Sequence, residues 1–180
     1  GVHFGHLKKK YNPAMAPYVF MERNGIHIIV LNKTVAMIED AAAAMKQIAK
    51  SGKKILFVAT KKQAKSIVAE AAQKLDMPYI TERWPGGLLT NFATIRKSIK
   101  KMDGIDKMKV DGTFDSLSKR ERLQISRTRE KLEINLGSIV KMNRMPEAIF
   151  IIDINKEHIA LKESTKLGIR SFALTDTNTN

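Results

Sequence analysis

The sequence predicts an α/β fold: a doubly wound, mainly parallel sheet carrying an inserted α-helical, coiled-coil-like hairpin. Three observations predict it. Short apolar runs at residues 26–31, 54–59, 79–81, 148–154 and 171–174 read as strands. Amphipathic stretches of helical length lie between them, and right-handed crossovers then put helices on both faces of a parallel sheet. The alternation is broken once, where residues 92–143 read as two consecutive helices. The expected division is an α/β domain of residues 1–91 and 144–180 with a hairpin of residues 92–143. The chain opens at glycine and stops in TDTNTN with no helix to cover the last strand, so the α/β domain reads as trimmed at both ends.

Each element has a local reason. Residues 1–17 read as irregular and basic. Residues 18–22 and 26–31 flank Arg23-Asn24-Gly25, and Asn-Gly between apolar runs favours a hairpin because both residues tolerate positive φ. His27 lies inside the second run and reads as a satisfied core histidine. A helix over 32–50 follows, with Asn32 as its cap and Val35, Ile38, Ala42, Met45 and Ala49 as its apolar stripe. Gly52 stops it. After the strand at 54–59, Thr60 and Gln63 form a capping box, and Ala64, Ile67, Val68, Ala71 and Leu75 form an inner face. Pro78 ends that helix, and residues 79–81 are a short third strand.

From Phe92 the spacing Ile95, Ile99, Met102 predicts a helix interrupted near Gly104. Asp111-Gly112 is a turn. Ser118 and Glu121 form a capping box that opens a helix running to about Met142. Leu132, Leu136, Ile139 and Val140 make its later half apolar on one side. Its first half, KRERLQISRTREK, is charged nearly all round, as in a helix that projects or lies on a partner. Residues 148–154 are the most apolar strand, residues 156–166 a helix closed by Gly168, and residues 171–174 the last strand.

Charge narrows the function. The chain has 32 Lys and Arg against 18 Asp and Glu, a net +14, which points to a polyanionic partner. Residues 96–144 hold 14 basic and 7 acidic residues, half of that excess. No apolar run approaches the ~18 residues a bilayer crossing needs. Basic helices without an aromatic apolar face argue against a membrane-surface role. The absence of cysteine excludes disulfides and thiolate metal sites and fits a reducing compartment.

The segment RWPGGLLTNFATIRKSIKK, residues 83–101, carries the densest signal. Arg83 and Trp84 can stack on bases or clamp phosphates, while the plainer reading is a surface turn with a half-buried tryptophan. Gly86 and Gly87 permit close backbone approach. Thr90 or Asn91 can cap the following helix, leaving Arg96, Lys97, Lys100 and Lys101 along its exposed side. At the N-terminus His3, Phe4, His6 and Tyr11 interleave with Lys8, Lys9 and Lys10, a pattern suited to unpaired bases and to a solvated terminus alike. A zinc site from His3 and His6 lacks evident further ligands.

Enzyme signatures are missing. There is no GxGxxG, no GxxxxGK[ST], no GxSxG and no cysteine nucleophile. TKKQ after a strand suits one phosphate at a helix N-terminus but lacks the glycines to wrap a di- or triphosphate. Asp153 and Asp176 suit either a shared cation or ordinary turn capping. Two classes of function remain: a nucleic-acid-binding structural protein, with cations spread over several faces, and a basic α/β nucleotide- or phosphate-binding enzyme, with cations converging on one strand-end crevice. The spread favours the first.

RWPGGLLTNFATI also resembles the RW-x-GG-x-LTN-x-x-TI signature of the bacterial-type family of the second protein of the small ribosomal subunit. GVHFGH, NPAM, FMERNGIHII, KKILFVATKKQA and the closing DTN match in order, across nearly all 180 residues. Tyr11, Pro85 and Arg170 depart from the family pattern. The resemblance implies a flavodoxin-like strand order and no catalysis. It implies binding to small-subunit ribosomal RNA, contact with neighbouring subunit proteins and help in seating the large messenger-binding protein for translation. The expected RNA contacts are His3, His6, Lys8, Lys9, Lys10, Arg23, Asn24, Arg83, Trp84, Asn91, Arg96, Lys97, Lys100 and Arg127. No cofactor, resident metal or membrane is expected. The expected location is the cytoplasmic ribosome, with an organellar one left open.

Overall fold

Two sheets organise the chain in the computed structural model, which describes residues 1–179. The first is antiparallel. β1 (Phe4–Leu7), β2 (Val19–Arg23) and β3 (Ile26–Ile29) stand in the order β1-β3-β2. The Asn24-Gly25 turn closes β2 on β3, with both residues at positive φ, 51° and 74°, as the hairpin signal requires. β1 corrects the reading of residues 1–17 as irregular. FGHL is too short to show a strand period, and its pairing is supplied by β3, with Phe4 opposite Ile28 and Leu7 opposite Ile26. Two 3-10 turns, Lys8–Lys10 and Pro13–Tyr18, lead from β1 to β2.

β3 therefore leaves the parallel sheet to other strands. These are β4 (Ile55–Val58), β5 (Tyr79–Ile80), β6 (Ala148–Ile152) and β7 (Arg170–Leu174), in the order β5-β4-β6-β7. Numbered among themselves the strands run 2-1-3-4, the flavodoxin-like order, and every neighbouring pair is parallel. The expected doubly wound α/β fold is present. Alternate residues divide the sheet between two cores. Leu56, Val58, Ile149 and Ile151 face one with Ile99, Leu136, Ile139 and Ala160. Ile55, Ala148 and Phe172 face the other with Ala41, Ala44, Met45 and Ile48.

The helices are α1 (Leu31–Lys50), α2 (Lys62–Lys74), α3 (Phe92–Val110), α4 (Lys119–Leu136) and α5 (His158–Lys166). Several details differ from expectation. Asn32 is not the cap of α1: the helix begins one residue earlier, after Val30, with no side-chain cap. The α1 side chains against the sheet are Ala41, Ala44, Met45 and Ile48, and Val35 and Ile38 are exposed. The helix contacts the sheet only along its later half, so periodicity alone misplaces the stripe. Thr60 does not cap α2, because its hydroxyl and N–H both donate to Glu157. Val68 and Ala72 are the buried residues of α2, while Ile67 and Leu75 are exposed.

α3 runs unbroken through Gly104. A glycine costs a helix about 1 kcal/mol relative to alanine. Burial of Met102 and Ile105 on either side opposes that, since a buried apolar side chain gains roughly 1.5–3 kcal/mol. The Asp111-Gly112 turn forms, and Asp111 Oδ1 accepts from the Thr113 N–H at 2.9 Å. The Ser118–Glu121 capping box also forms. α4 ends at Leu136 and not near Met142, tightening into a 3-10 turn over Gly137–Ile139. α3 and α4 are fastened by Arg129, whose Nε and Nη2 donate to the two oxygens of Asp106 at 2.8 and 3.0 Å.

The antiparallel sheet is anchored to the carboxyl end of the parallel one by the segment after β7. The His6 N–H donates to Thr177 Oγ1 at 2.8 Å, and the Asn12 N–H donates to the Thr177 carbonyl at 3.0 Å. Gly5 makes this approach possible, since a Cβ there would lie 2.7 Å from both Cγ2 and Oγ1 of Thr177. His27 is buried and stacks on Tyr11 with ring centroids 4.3 Å apart. Among the described residues neither of its ring nitrogens has a hydrogen-bond partner, which corrects the reading of a satisfied histidine. The ring is held by stacking instead.

Candidate nucleic-acid interface

The loop after β5 is held in place by a carboxylate that the sequence reading missed. Glu163, on α5, is only 8% exposed. Its Oε1 accepts from Trp84 Nε1 at 3.1 Å and from the Gly87 N–H at 2.7 Å. Its Oε2 accepts from the N–H groups of Leu89 and Thr90 at 3.0 and 3.1 Å, and from the Thr90 hydroxyl at 3.2 Å. Burial pushes this carboxyl up. The bonds from Trp84, Gly87, Thr90 and Leu89 outweigh it and hold the group below the usual carboxylate range. Gly87 sits at φ +81°, and its carbonyl accepts from the Asn91 N–H at 2.7 Å, which curls the loop tightly enough to aim its N–H groups inward. One signal was available in the sequence. Glu163 shares the inner stripe of α5 with Ala160 and Ser164, and a carboxylate on a buried stripe must find donors.

This geometry corrects the role expected for Trp84. The indole is 8% exposed and packs in the main core, so it offers no free face to a base. Arg83, beside it, is exposed and makes no ion pair or side-chain hydrogen bond among the described residues. Asn91 is exposed and precedes α3 without capping a backbone N–H; its Oδ1 accepts from the Thr94 hydroxyl at 2.8 Å. Arg96 is half-buried and turned inward, with Nη1 donating to the carbonyls of Val140 and Met142 at 3.1 and 3.4 Å. It ties α3 to the segment after α4, which is a structural contact. Lys97, Lys100 and Lys101 remain exposed along α3.

The N-terminal residues divide similarly. His3 packs its ring on Phe4 at 4.2 Å. His6 Nδ1 lies 2.7 Å from Asp176 Oδ2, poorly aligned for a hydrogen bond but engaged within the protein. Lys8 pairs with Glu22 at 2.9 Å. Lys9, Lys10, Arg23 and Asn24 are exposed, the last two at the hairpin tip. On α4, Arg120, Gln124, Arg127 and Lys131 border one shallow groove with Leu123 and Thr128. Positions 120, 124, 127 and 131 follow the helical repeat, so the cations form a stripe along one side, opposite Leu132 and Leu136.

The strand-end crevice is occupied by the protein's own groups. Where the crossovers part beyond β4 and β6, Lys61 Nζ lies 2.5 Å from Asp153 Oδ2, and Lys156 Nζ donates to the Thr60 carbonyl at 3.1 Å. Burial raises the Asp153 carboxyl, and Lys61 with the N–H groups of Lys156 and Asn155 draws it below its ordinary value. Asp153 and Asp176 thus have separate cationic or imidazole partners. Among the described residues, no three or more His, Asp or Glu gather as a metal site would need. No helix there is long and apolar enough to cross a membrane.

The family model for "Ribosomal protein S2" matches residues 1–180. The chain is similar to the "Small ribosomal subunit protein uS2" of Parabacteroides distasonis, with 67% identity over 180 residues, all of this chain and 65% of that protein. It is 66% identical over 180 residues to the proteins of the same name from Porphyromonas gingivalis and Flavobacterium johnsoniae, spanning 64% and 71% of them. The chain thus spans about 65% of the length of the Parabacteroides relative.

Proposed function

The chain belongs to the ribosomal protein S2 family, and from that premise we propose that it is a structural constituent of the small ribosomal subunit that grips ribosomal RNA and performs no reaction. Its place is then the ribosome in the cytoplasm, among neighbouring subunit proteins. Seating the large messenger-binding protein for translation initiation is part of the same reading.

One observation carries it. The exposed cations without internal partners among the described residues stand on separate surfaces: Lys9, Lys10 and Arg23 at the antiparallel sheet, Arg83 at the loop, Lys97 and Lys100 on α3, and Arg120, Arg127 and Lys131 on α4. A small anion needs convergent donors, whereas a folded polyanion engages many separate phosphates. The groups lining the crevice already pair with one another. In this role residues 92–143 act as a basic appendage lying on RNA. Each phosphate contact releases counterions, so affinity falls steeply with salt. Selectivity comes from RNA shape and splayed bases.

The test is affinity purification from cells with and without ribonuclease. Small-subunit RNA should co-purify, and nuclease should release the proteins attached through it. A nuclease-resistant complex with a nucleotide would instead establish the enzyme or phosphate-binder reading.

A further inference from the structure

We infer that Glu163 is a positioning residue for RNA binding: it stands in for an anion inside the loop from Trp84 to Thr90 and so holds Arg83 and Asn91 in a preformed, RNA-facing arrangement. The inference rests on the RNA-binding reading. It begins with a count of donors. Four N–H groups and one hydroxyl, all from seven consecutive residues, converge on the two oxygens of one carboxylate. Inward-turned backbone N–H groups around a glycine at positive φ are how loops bind phosphate or carboxylate. Here the anion is part of the chain, delivered from α5 across 73 to 79 residues of sequence. The loop is therefore already filled, and its anion-binding geometry is spent on its own shape.

What that shape displays lies at its two ends. Arg83 immediately precedes the first clamped residue and Asn91 immediately follows the last, and both are exposed. Asn91 also opens α3, whose Lys97 and Lys100 face solvent. Clamping the seven residues fixes Arg83 relative to the α3 lysines before RNA arrives, so ordering the loop is not charged against binding. Without the carboxylate, the N–H groups of Gly87, Leu89 and Thr90 would lack this partner in a half-buried setting, and the loop would open to reach water. Glu163 itself is buried and touches no RNA, so it acts only through the loop.

Glu163→Gln tests this, because it keeps the side-chain size and removes the charge and one acceptor oxygen. The probe is purified bacterial small-subunit ribosomal RNA, with affinity measured across a salt series for the wild type, Glu163→Gln, Arg83→Ala and the double variant. The expected result is a folded Glu163→Gln protein by circular dichroism, with emission of Trp84, the only tryptophan, shifted to the red. RNA affinity falls about tenfold and the salt slope drops by about one phosphate contact. In the Arg83→Ala background the same substitution changes affinity by less than about twofold, because coupled residues are not additive. Equal RNA binding by Glu163→Gln and wild type overturns the inference alone. A tenfold loss that persists undiminished without Arg83 also overturns it, since Glu163 would then act by general destabilisation. Failure of the folded wild type to bind the RNA overturns the RNA reading and this inference together. Should Glu163→Gln not fold, Thr90→Val, which deletes one donor, enters the same cycle with Arg83→Ala under the same criteria.

Discussion

The indole N–H of Trp84 donates to Oε1 of Glu163 at 3.1 Å across 79 residues of sequence. This bond joins the loop after β5 to the helix before β7. It explains why the sole tryptophan of a basic protein is buried among aliphatic side chains, and why the neighbouring arginine is left to face outward.

Replacing Trp84 by phenylalanine retains most of the apolar burial and deletes this donor. Hydrogen bonds to a buried charged group are worth about 1.5–3 kcal/mol, so denaturant titration should show a stability loss of roughly that size. A loss below ~0.5 kcal/mol would mean that the other four donors satisfy Glu163 unaided.

Glu163 also sets a pH response. Its folded value lies below that of a free glutamate, so its contribution to stability is complete above the unfolded carboxylate range. That contribution is lost as pH falls through the depressed folded value. Trp84 emission, followed during acid titration, should move to the red in that window, below about pH 4.3, the free glutamate value. Glu163→Gln should flatten the change. A shift centred near neutral pH would assign the response to another group.

Gly5→Ala forces a Cβ to within 2.7 Å of the Thr177 side chain and 3.2 Å of the His27 carbonyl. The antiparallel sheet must then lift from the segment after β7. Overpacking of this kind costs about 1–3 kcal/mol, measurable by thermal or chemical unfolding. Adding Thr177→Ala removes the two clashing atoms, together with the acceptor for the His6 N–H, and should recover only part of the loss.

Arginines on the two hairpin helices should separate by phenotype. Arg127→Ala, on the α4 stripe, is expected to leave stability within about 0.5 kcal/mol of wild type. The same change should lower the salt slope of RNA binding by about one. Arg96→Ala deletes the donor to the Val140 and Met142 carbonyls, so it should destabilise the fold while leaving the slope unchanged. The reverse pattern would exchange their roles.

Much of the architecture was legible because it follows from local chemistry. Asn24-Gly25 permits the hairpin turn, Ser118 and Glu121 form their capping box, and four apolar runs became the four parallel strands. The cap at Asn32 and the box at Thr60 were not legible. A side chain that can cap a helix can also bond elsewhere, and Thr60 had Glu157 available from a distant segment. The exposure of Arg23, Arg83, Lys97 and Arg127 was legible in outline, since it follows from their charge. Trp84, Arg96 and His6, expected as RNA contacts, are engaged within the protein. Their partners are Glu163, the Val140 and Met142 carbonyls and Asp176, none of them near in sequence.

By itself the sequence determined the fold class, the excess of positive charge and the family, because these rest on apolar periodicity, composition and the order of motifs. Only the tertiary structure decided which polar side chains are left free to meet an outside partner. A charged or hydrogen-bonding group is available to RNA only if no internal acceptor or donor has claimed it, and such claims are made across the fold, where folding brings Glu163 to Trp84 and Lys61 to Asp153.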